Sequence, residues 1–146
     1  MIVYSGTITK FNDDIDNGRI AWVLKDEFEK RGISGGTESE IRSWLNSLLH
    51  MKNVINYEGV DKDIHVAIEY QIPTTSKRVD FIVTGLDENN NKNVIIVELK
   101  QWEKAESTNK EGLVSTYLGG ANRLVTHPSY QAYSYAETIE NYNEYV

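Results

Sequence analysis

The 146-residue chain contains no cysteine, two prolines and three histidines. The lack of cysteine excludes disulfide bonds, thiolate zinc sites and cysteine nucleophiles. The histidines His50, His65 and His127 are too few and too dispersed to predict an imidazole metal cluster. No apolar run approaches the roughly 18 residues of a transmembrane helix, and the N-terminus has no basic segment followed by an apolar one. We therefore expect a cytoplasmic protein with no membrane partner.

Positive charge is also scarce, since 15 basic residues face 22 acidic ones and the formal net charge is −7. The sequence pI is about 5.0. Broad electrostatic binders of nucleic acid usually have a pI above about 9, so any role of that kind must come from a local site. The length fits one domain, because domains contain roughly 100–200 residues.

Three helices are predicted from apolar periodicity and capping residues. The apolar stripe of the first consists of Ile20, Val23, Leu24 and Phe28, and Gly32 is its stop signal. The second begins at Thr37, which forms a capping-box pattern with Glu40. Its buried stripe consists of Ile41, Trp44, Leu45, Leu48 and Leu49. The third begins at Pro128, which fits the first helical position, and is expected to run to about Tyr142.

Strand patterns lie between the second and third helices. The predicted strands are residues 66–72, 78–83 and 94–99. The unbroken apolar run 94–97 indicates burial on both faces of its strand. Residues 87–91, rich in Asn and Asp, predict a hairpin turn. Weak alternation in residues 1–11 predicts a short strand, whereas residues 103–126 are polar with one short β-prone piece at 113–117.

The element order predicts an α/β or α+β domain in which one small sheet is flanked by helices. We expect a single domain over residues 1–146. Residues 1–36 are expected to form an N-terminal strand and helix extension, and residues 37–146 an αβββα core.

Acidic residues interrupt two of the predicted strands. Asp80 lies between Val79 and Phe81, and Glu98 ends the apolar run with Lys100 two residues later. Residues i and i+2 of a strand share a face, so Glu98 and Lys100 are expected to project together. If the two strands pair as a hairpin, Asp80 can face Glu98. Two converging carboxylates suit Mg²⁺, and a nearby lysine can orient or deprotonate an attacking water, which are the parts needed for phosphodiester hydrolysis.

Asp80 followed by Glu98-Leu99-Lys100 at the end of an apolar strand resembles the PD-(D/E)XK nuclease superfamily. The resemblance implies a restriction-endonuclease-like core around a small mixed sheet, and the chain ends before the last strand of such a core. It implies Mg²⁺, for which Mn²⁺ can substitute, bound by Asp80, Glu98, the Leu99 carbonyl and Glu40. Val79 stands where the motif has its proline.

Two further likenesses extend this resemblance. Gln131 and Tyr135 are similar to the Q-x-x-x-Y element of RecB-type nucleases, which implies that they orient the substrate strand or Lys100. Residues 40–44, 98–102 and 119–132 resemble a bacterial group in which such a domain precedes a Schlafen-like superfamily 1 helicase. This resemblance implies a DNA substrate, a helicase domain in the same or a partner chain, and a setting in repair or defence. The chain itself has no G-x-x-x-x-G-K-[ST] loop and so no helicase.

Simpler roles remain open for each candidate residue. The capping box explains Glu40 without a metal, and Asp80 could begin a strand at a solvated edge. Glu98 and Lys100 could form a surface ion pair, which is common on edge strands. Trp102 could belong to the core or to the lip of a cleft.

The last helix and the chain as a whole also allow simpler interpretations. Gln131 and Tyr135 could simply pack or face solvent, and His127 before Pro128 is better explained as a helix cap than as a ligand. The rival to an enzyme is a catalytically inactive nuclease-like module that binds nucleic acid or docks onto a helicase. A purely structural α/β domain would leave the two strand carboxylates unexplained.

Overall fold

The structure, a computed structural model, describes residues 2–32, 37–61 and 64–143. Within these ranges the elements in chain order are β1 (Ile2–Thr7), α1 (Ile8–Asp16), α2 (Ile20–Lys30), α3 (Glu38–Ile55), β2 (His65–Gln71), β3 (Arg78–Leu86), β4 (Lys92–Val97), β5 (Ala105–Ser107), β6 (Leu113–Leu118), β7 (Ala121–Thr126) and α4 (Pro128–Asn143). The chain therefore has the mixed helix and strand content expected of an α+β fold. None of these helices combines the length and apolar character needed to cross a membrane.

The larger sheet has the strand order β1-β2-β3-β4, and every neighbouring pair is antiparallel. The expected mixed sheet is therefore wrong for the described residues, because short hairpin connections join β2 to β3 and β3 to β4. The predicted turn between β3 and β4 is confirmed. Asp87 Oδ1 accepts hydrogen bonds from the backbone N–H groups of Asn89 and Asn91, each at 2.8 Å, and Asn90 adopts a φ of 62°.

Helix α3 begins as its sequence predicts. The Thr37 side chain accepts a hydrogen bond from the Glu40 N–H at 3.3 Å, and Glu40 Oε2 accepts one from the Thr37 N–H at 2.9 Å. This reciprocal capping box is confirmed. Helix α4 is confirmed as well, and the His127 side chain caps it by accepting a hydrogen bond from the Ser129 N–H at 3.1 Å.

The N-terminal segment differs from its prediction after Thr7. β1 is the short strand expected there, but a helix replaces it from Ile8 onward. The Thr7 side chain caps this helix by accepting a hydrogen bond from the Lys10 N–H at 3.2 Å. Phe11, which belongs to the weak alternation that predicts a strand, instead lies three positions from Ile8 on the buried face of α1.

Helices cover both faces of the larger sheet. Helices α1, α2 and α3 pack on one face, in a first core cluster that includes Phe11, Phe28, Leu48, Ile68 and Phe81. Helix α4 covers the other face, in a second cluster of Ala67, Ile72, Val79, Ile82 and Tyr135. Fully burying each large apolar side chain contributes about 1.5–3 kcal/mol, so the two clusters hold the sheet between two helical layers.

The strand predicted for residues 94–99 ends at Val97 in the structure. Val94 and Ile95 are 61% and 59% exposed, so the expected burial on both faces is wrong. The reason is position, because β4 pairs only with β3 among the described strands and forms an edge of the sheet. Glu98 and Lys100 consequently lie just beyond the strand.

The segment 103–126 contains a second antiparallel sheet, of order β5-β6-β7, that was predicted only as a short β-prone piece. We call residues 105–126 the arm. The arm lies in sequence between Trp102 and His127, and the His127 N–H donates to the Gly112 carbonyl of the arm at 2.7 Å. In sequence, the arm therefore separates Glu98, which follows β4, from Gln131 on α4.

Candidate functional site

In β2 and in the paired part of β3, the apolar side chains switch from one face of the sheet to the other. On β2, Ile68 packs in the first core cluster and Tyr70 against the second, although residues two apart on a regular strand share a face. On β3, Phe81 packs in the first cluster and Val79 in the second. Glu69, which lies between Ile68 and Tyr70, has a φ of 54°, in the left-handed region. A single left-handed residue therefore accompanies the change of face.

The change of face brings two carboxyl groups to the middle of the sheet. Ile68 pairs with Phe81 and Tyr70 with Val79, so the register places Glu69 opposite Asp80. A non-glycine residue in the left-handed region costs about 1–3 kcal/mol and persists only where its surroundings hold it. The contacts of the Glu69 side chain keep its backbone in this conformation.

Glu69 is 7% exposed, and both of its carboxylate oxygens have partners. Oε1 accepts a hydrogen bond from the Trp44 indole N–H at 2.9 Å, and Oε2 lies 3.4 Å from Arg78 Nε. Burial raises the pKa of Glu69 to about 7; the Asp80 carboxylate adds to the increase, and the Arg78 guanidinium opposes it. Sequence reasoning missed Glu69. The available signal was a single acidic residue in an apolar strand, the same pattern that identified Asp80.

Aromatic rings fix the residues that hold Glu69. The Trp44 ring stacks on Phe28 with centroids 5.1 Å apart, and the Arg78 guanidinium lies 5.1 Å from the same Phe28 ring. Arg78 Nη1 is buried without a hydrogen-bond partner among the described residues. Trp44 is thus partly a core residue, as expected, and also a hydrogen-bond donor to the site.

Asp80 connects β3 to the residues that follow β4. Its Oδ2 accepts a hydrogen bond from the Leu99 N–H at 2.8 Å, beyond the last backbone pair of the two strands. Burial raises the pKa of Asp80, while the Leu99 N–H and the Lys100 charge lower it. The Asp80 and Glu98 carboxyl groups are close enough to form a hydrogen bond with each other when one of them is protonated.

The Glu98 side chain is 3% exposed and is held from two sides. Its Oε1 lies 2.5 Å from Lys100 Nζ and 2.5 Å from Gln131 Nε2, and Gln131 also donates to the Tyr135 hydroxyl at 2.8 Å. Burial raises the pKa of Glu98 and the Asp80 carboxyl adds to the increase, whereas Lys100 lowers it. With both carboxyls ionised, Oε2 of Glu98 is buried without a donor in the described part of the chain.

The structure thus brings together five of the residues predicted from the sequence. They are Asp80, Glu98, Lys100, Gln131 and Tyr135. Leu99 is at the site as well, through its N–H group. The arrangement places two carboxylates that burial disfavours in their charged form next to one ammonium group. Such a site can bind a cation through the carboxylates and an anion through the lysine.

Glu40 is placed differently, because its carboxylate belongs to the capping box at the start of α3. Its charge still raises the pKa of Glu69, so it contributes to the negative potential of the site. The described residues contain no group of three or more His, Asp or Glu side chains arranged to hold a metal ion. Asp80 and Glu98 therefore supply two carboxylates, and Mg²⁺ is commonly bound through one or two carboxylates with water completing its shell.

A cavity of about 100 Å³ lies between α3 and the sheet at this position. Its polar lining consists of Glu69 and Asp80 from the sheet and Ser43, Trp44 and Ser47 from α3. Since a water molecule in the liquid occupies about 30 Å³, the cavity has room for a few of them beside the carboxylates.

Comparisons of the chain with family models, with curated protein sequences and with solved structures find no match. Support for a function therefore comes from the side-chain geometry and from the sequence motifs.

Proposed function

We propose that the chain is a metal-dependent nuclease domain of the PD-(D/E)XK type, which hydrolyses phosphodiester bonds of DNA. One observation carries the proposal: the buried Glu98 carboxylate is paired with Lys100 through one oxygen and adjoins Asp80 with the other oxygen lacking a donor among the described residues. An orphaned acceptor next to a second carboxyl is the environment that a divalent cation relieves.

The donor set fits Mg²⁺, with Mn²⁺ as a substitute. Asp80 and Glu98 would hold the ion, and the Leu99 carbonyl is the further oxygen proposed from the sequence. When bound, the ion would polarise a phosphoryl oxygen and lower the pKa of a bound water. The raised pKa values of Asp80 and Glu98 agree with this role, because a cation stabilises the ionised forms that burial disfavours.

Of the other residues of the site, Lys100 would act on water and phosphate, and Gln131 and Tyr135 would position Glu98. The Lys100 side chain is 26% exposed, so its ammonium reaches both Glu98 and the solvent side of the site. It can orient an attacking water and stabilise negative charge on the phosphate. Gln131 keeps Glu98 in place by donating to Oε1, and Tyr135 keeps Gln131 in place by accepting from its amide.

The fold assignment and the partner belong to the same proposal. The fold assignment is supported by the succession of a helix, the hairpin strands β2, β3 and β4, and a helix carrying Gln131 and Tyr135, which is the αβββα part of a restriction-endonuclease-like core. The arm is inserted between β4 and α4. The motif resemblance supports a helicase domain as partner, in the same or another chain, and a cytoplasmic setting in repair or defence.

The test is cleavage of single- and double-stranded DNA with Mg²⁺, with Mn²⁺ and with a chelator. We expect metal-dependent cleavage by the natural chain and a loss of at least about 100-fold in Asp80→Asn and Lys100→Ala. Matched controls are Asp26→Asn and Lys30→Ala, which remove the ion pair between half-buried Asp26 and exposed Lys30 on α2 and should cleave normally. Cleavage at the natural rate by both site variants would refute the mechanism.

A catalytically inactive module that binds nucleic acid or docks a helicase is the second candidate. It is favoured by the position of Glu40, whose carboxylate belongs to the α3 capping box instead of joining Asp80 and Glu98 as a third ligand. This candidate predicts nucleic-acid or helicase binding without cleavage and without measurable affinity for Mg²⁺ or Mn²⁺. Calorimetric titration of the metal into the natural chain and into Asp80→Asn distinguishes the two.

A further inference from the structure

We propose that a groove next to the site binds one nucleoside of the substrate strand, an inference that rests on the proposed nuclease function. The groove has a volume of about 600 Å³ and lies between α3 and residues 99–102. Binding sites for small molecules usually measure about 300–1,000 Å³, so a nucleoside fits.

One wall of the groove is a stripe along α3. Asn46, Leu49, His50 and Asn53 line it at the spacing that places residues on one helix face. The opposite wall is the segment from Leu99 to Trp102. Gln101 ties the two walls together, because its side-chain amide donates to the Ser43 carbonyl at 2.5 Å and to Ser47 Oγ at 3.1 Å.

The groove is continuous with the site. Ser47 and Leu99 line both the groove and the cavity that contains Asp80. Lys100, which pairs with Glu98, is also part of the groove wall. A strand whose phosphate lies at Lys100 would therefore have an adjacent nucleoside at the mouth of this groove.

The chemistry of the lining selects among ligands. Although the chain has a net charge of −7, the described residues that line the groove include Lys100 and no carboxylate. Asn46 and Asn53 are exposed carboxamides, which can donate to and accept from the edge of a base. Trp102 offers a half-buried indole for base stacking. A hydrophobic peptide would find little here, since Leu49 is the one exposed aliphatic side chain among the described lining residues.

Two p-nitrophenyl phosphodiesters separate nucleoside recognition from chemistry. Thymidine 5′-(p-nitrophenyl phosphate) carries a nucleoside, and methyl p-nitrophenyl phosphate does not. With Mg²⁺ present, Trp102→Ala is expected to raise KM for the thymidine ester about tenfold, the loss typical of one stacked base. Its kcat for that ester and its rate on the methyl ester should stay unchanged. The control is Trp22→Ala, which removes a 66%-exposed indole on α2 and should change neither.

Binding is measured separately, so that failure of the proposed function does not hide failure of the groove. A fluorescent oligothymidylate is titrated in a chelator with the natural chain and both tryptophan variants, read by anisotropy. About tenfold weaker binding by Trp102→Ala than by Trp22→Ala supports the groove even if no ester is cleaved. Equal affinity of the two variants, or an equal loss on both esters, overturns it.

Two more variants guard against a folding defect in Trp102→Ala. Trp102→Phe keeps a stacking ring and should restore most of the affinity. Asn46→Ala combined with Asn53→Ala changes only exposed side chains and should weaken oligothymidylate binding while leaving the methyl ester unaffected. If the double variant binds like the natural chain and Trp102→Phe binds like Trp102→Ala, the groove is not a nucleoside site.

Discussion

Replacing Glu69 with glutamine should stabilise the protein at alkaline pH. Gln keeps the shape of the side chain and an oxygen that can accept from Trp44, but it has no charge to bury. The pKa of Glu69 rises from 4.5 to about 7 on folding. Because one pKa unit corresponds to about 1.36 kcal/mol, ionised Glu69 costs the folded state about 3 kcal/mol. The favourable interaction with Arg78 is already contained in that value, since it opposes the increase.

The direction of the pH dependence follows from proton binding. The folded state holds the Glu69 proton more tightly than the unfolded chain does, so this group favours folding fully below about pH 4.5. Its contribution declines as the pH rises and is lost above about pH 7. The gain from Glu69→Gln should therefore be largest near pH 8 and fall steadily toward pH 5.

Urea unfolding at pH 8, 6 and 5, followed by far-ultraviolet circular dichroism, measures this gain. The matched control is Glu88→Gln, the same chemical change at an exposed position in the β3–β4 turn, which should stay within about 0.5 kcal/mol at every pH. Two results would refute the conclusion that burying the Glu69 charge destabilises the folded state: a gain in unfolding free energy below about 1 kcal/mol at pH 8, or a gain at pH 5 as large as that at pH 8.

Four other predictions test the start of α3 and the site. Thr37→Ala should lower the free energy of unfolding by about 1 kcal/mol, because it removes the cap of α3. Glu40→Gln should cleave DNA within about twofold of the natural rate. A loss of about 100-fold in Glu40→Gln would instead make Glu40 a metal ligand. Gln131→Leu removes a hydrogen-bond donor to Glu98 and so should raise the pKa of Glu98. The acidic limb of the cleavage–pH profile should therefore shift to higher pH. An unchanged profile would contradict the hydrogen bond between Gln131 and Glu98. Mg²⁺ at about 100 times its Kd should stabilise the natural chain by about 2.7 kcal/mol in urea unfolding, and Asp80→Asn should lose most of this gain.

Local patterns allowed much of this fold to be predicted. The capping residues of α3, the hairpin turn at Asp87 and the proline at the start of α4 each determine nearby backbone without help from distant residues. The contact of Asp80 with the residues after β4 followed from hairpin pairing alone, because the turn fixes which residues face one another.

Features that depend on distant packing could not be predicted in the same way. The apolar run 94–97 reads the same whether its strand is central or at an edge, and the structure places it at an edge. The arm has strands of three to six residues in which polar Thr116 is buried while Tyr117 and Leu124 are exposed, so its alternation carries little apolar contrast. Glu69 lies at a change of face produced by one left-handed residue, and no sequence motif marks that conformation in glutamate.

Part of the net charge of −7 comes from carboxyl groups at the candidate site. Glu69, Asp80 and Glu98 are three acids that burial makes costly to ionise, and they lie around the change of face at Glu69, whose left-handed backbone is itself strained. A domain that never met a cation would be more stable with apolar side chains of similar volume at these positions. On the proposed function, a bound divalent ion would reverse that balance for Asp80 and Glu98, because it would stabilise their charged forms and so convert a cost of folding into affinity for the metal. The nuclease and the inactive module therefore differ in stability as well as in activity: metal ions should raise the alkaline stability of the first and leave that of the second unchanged.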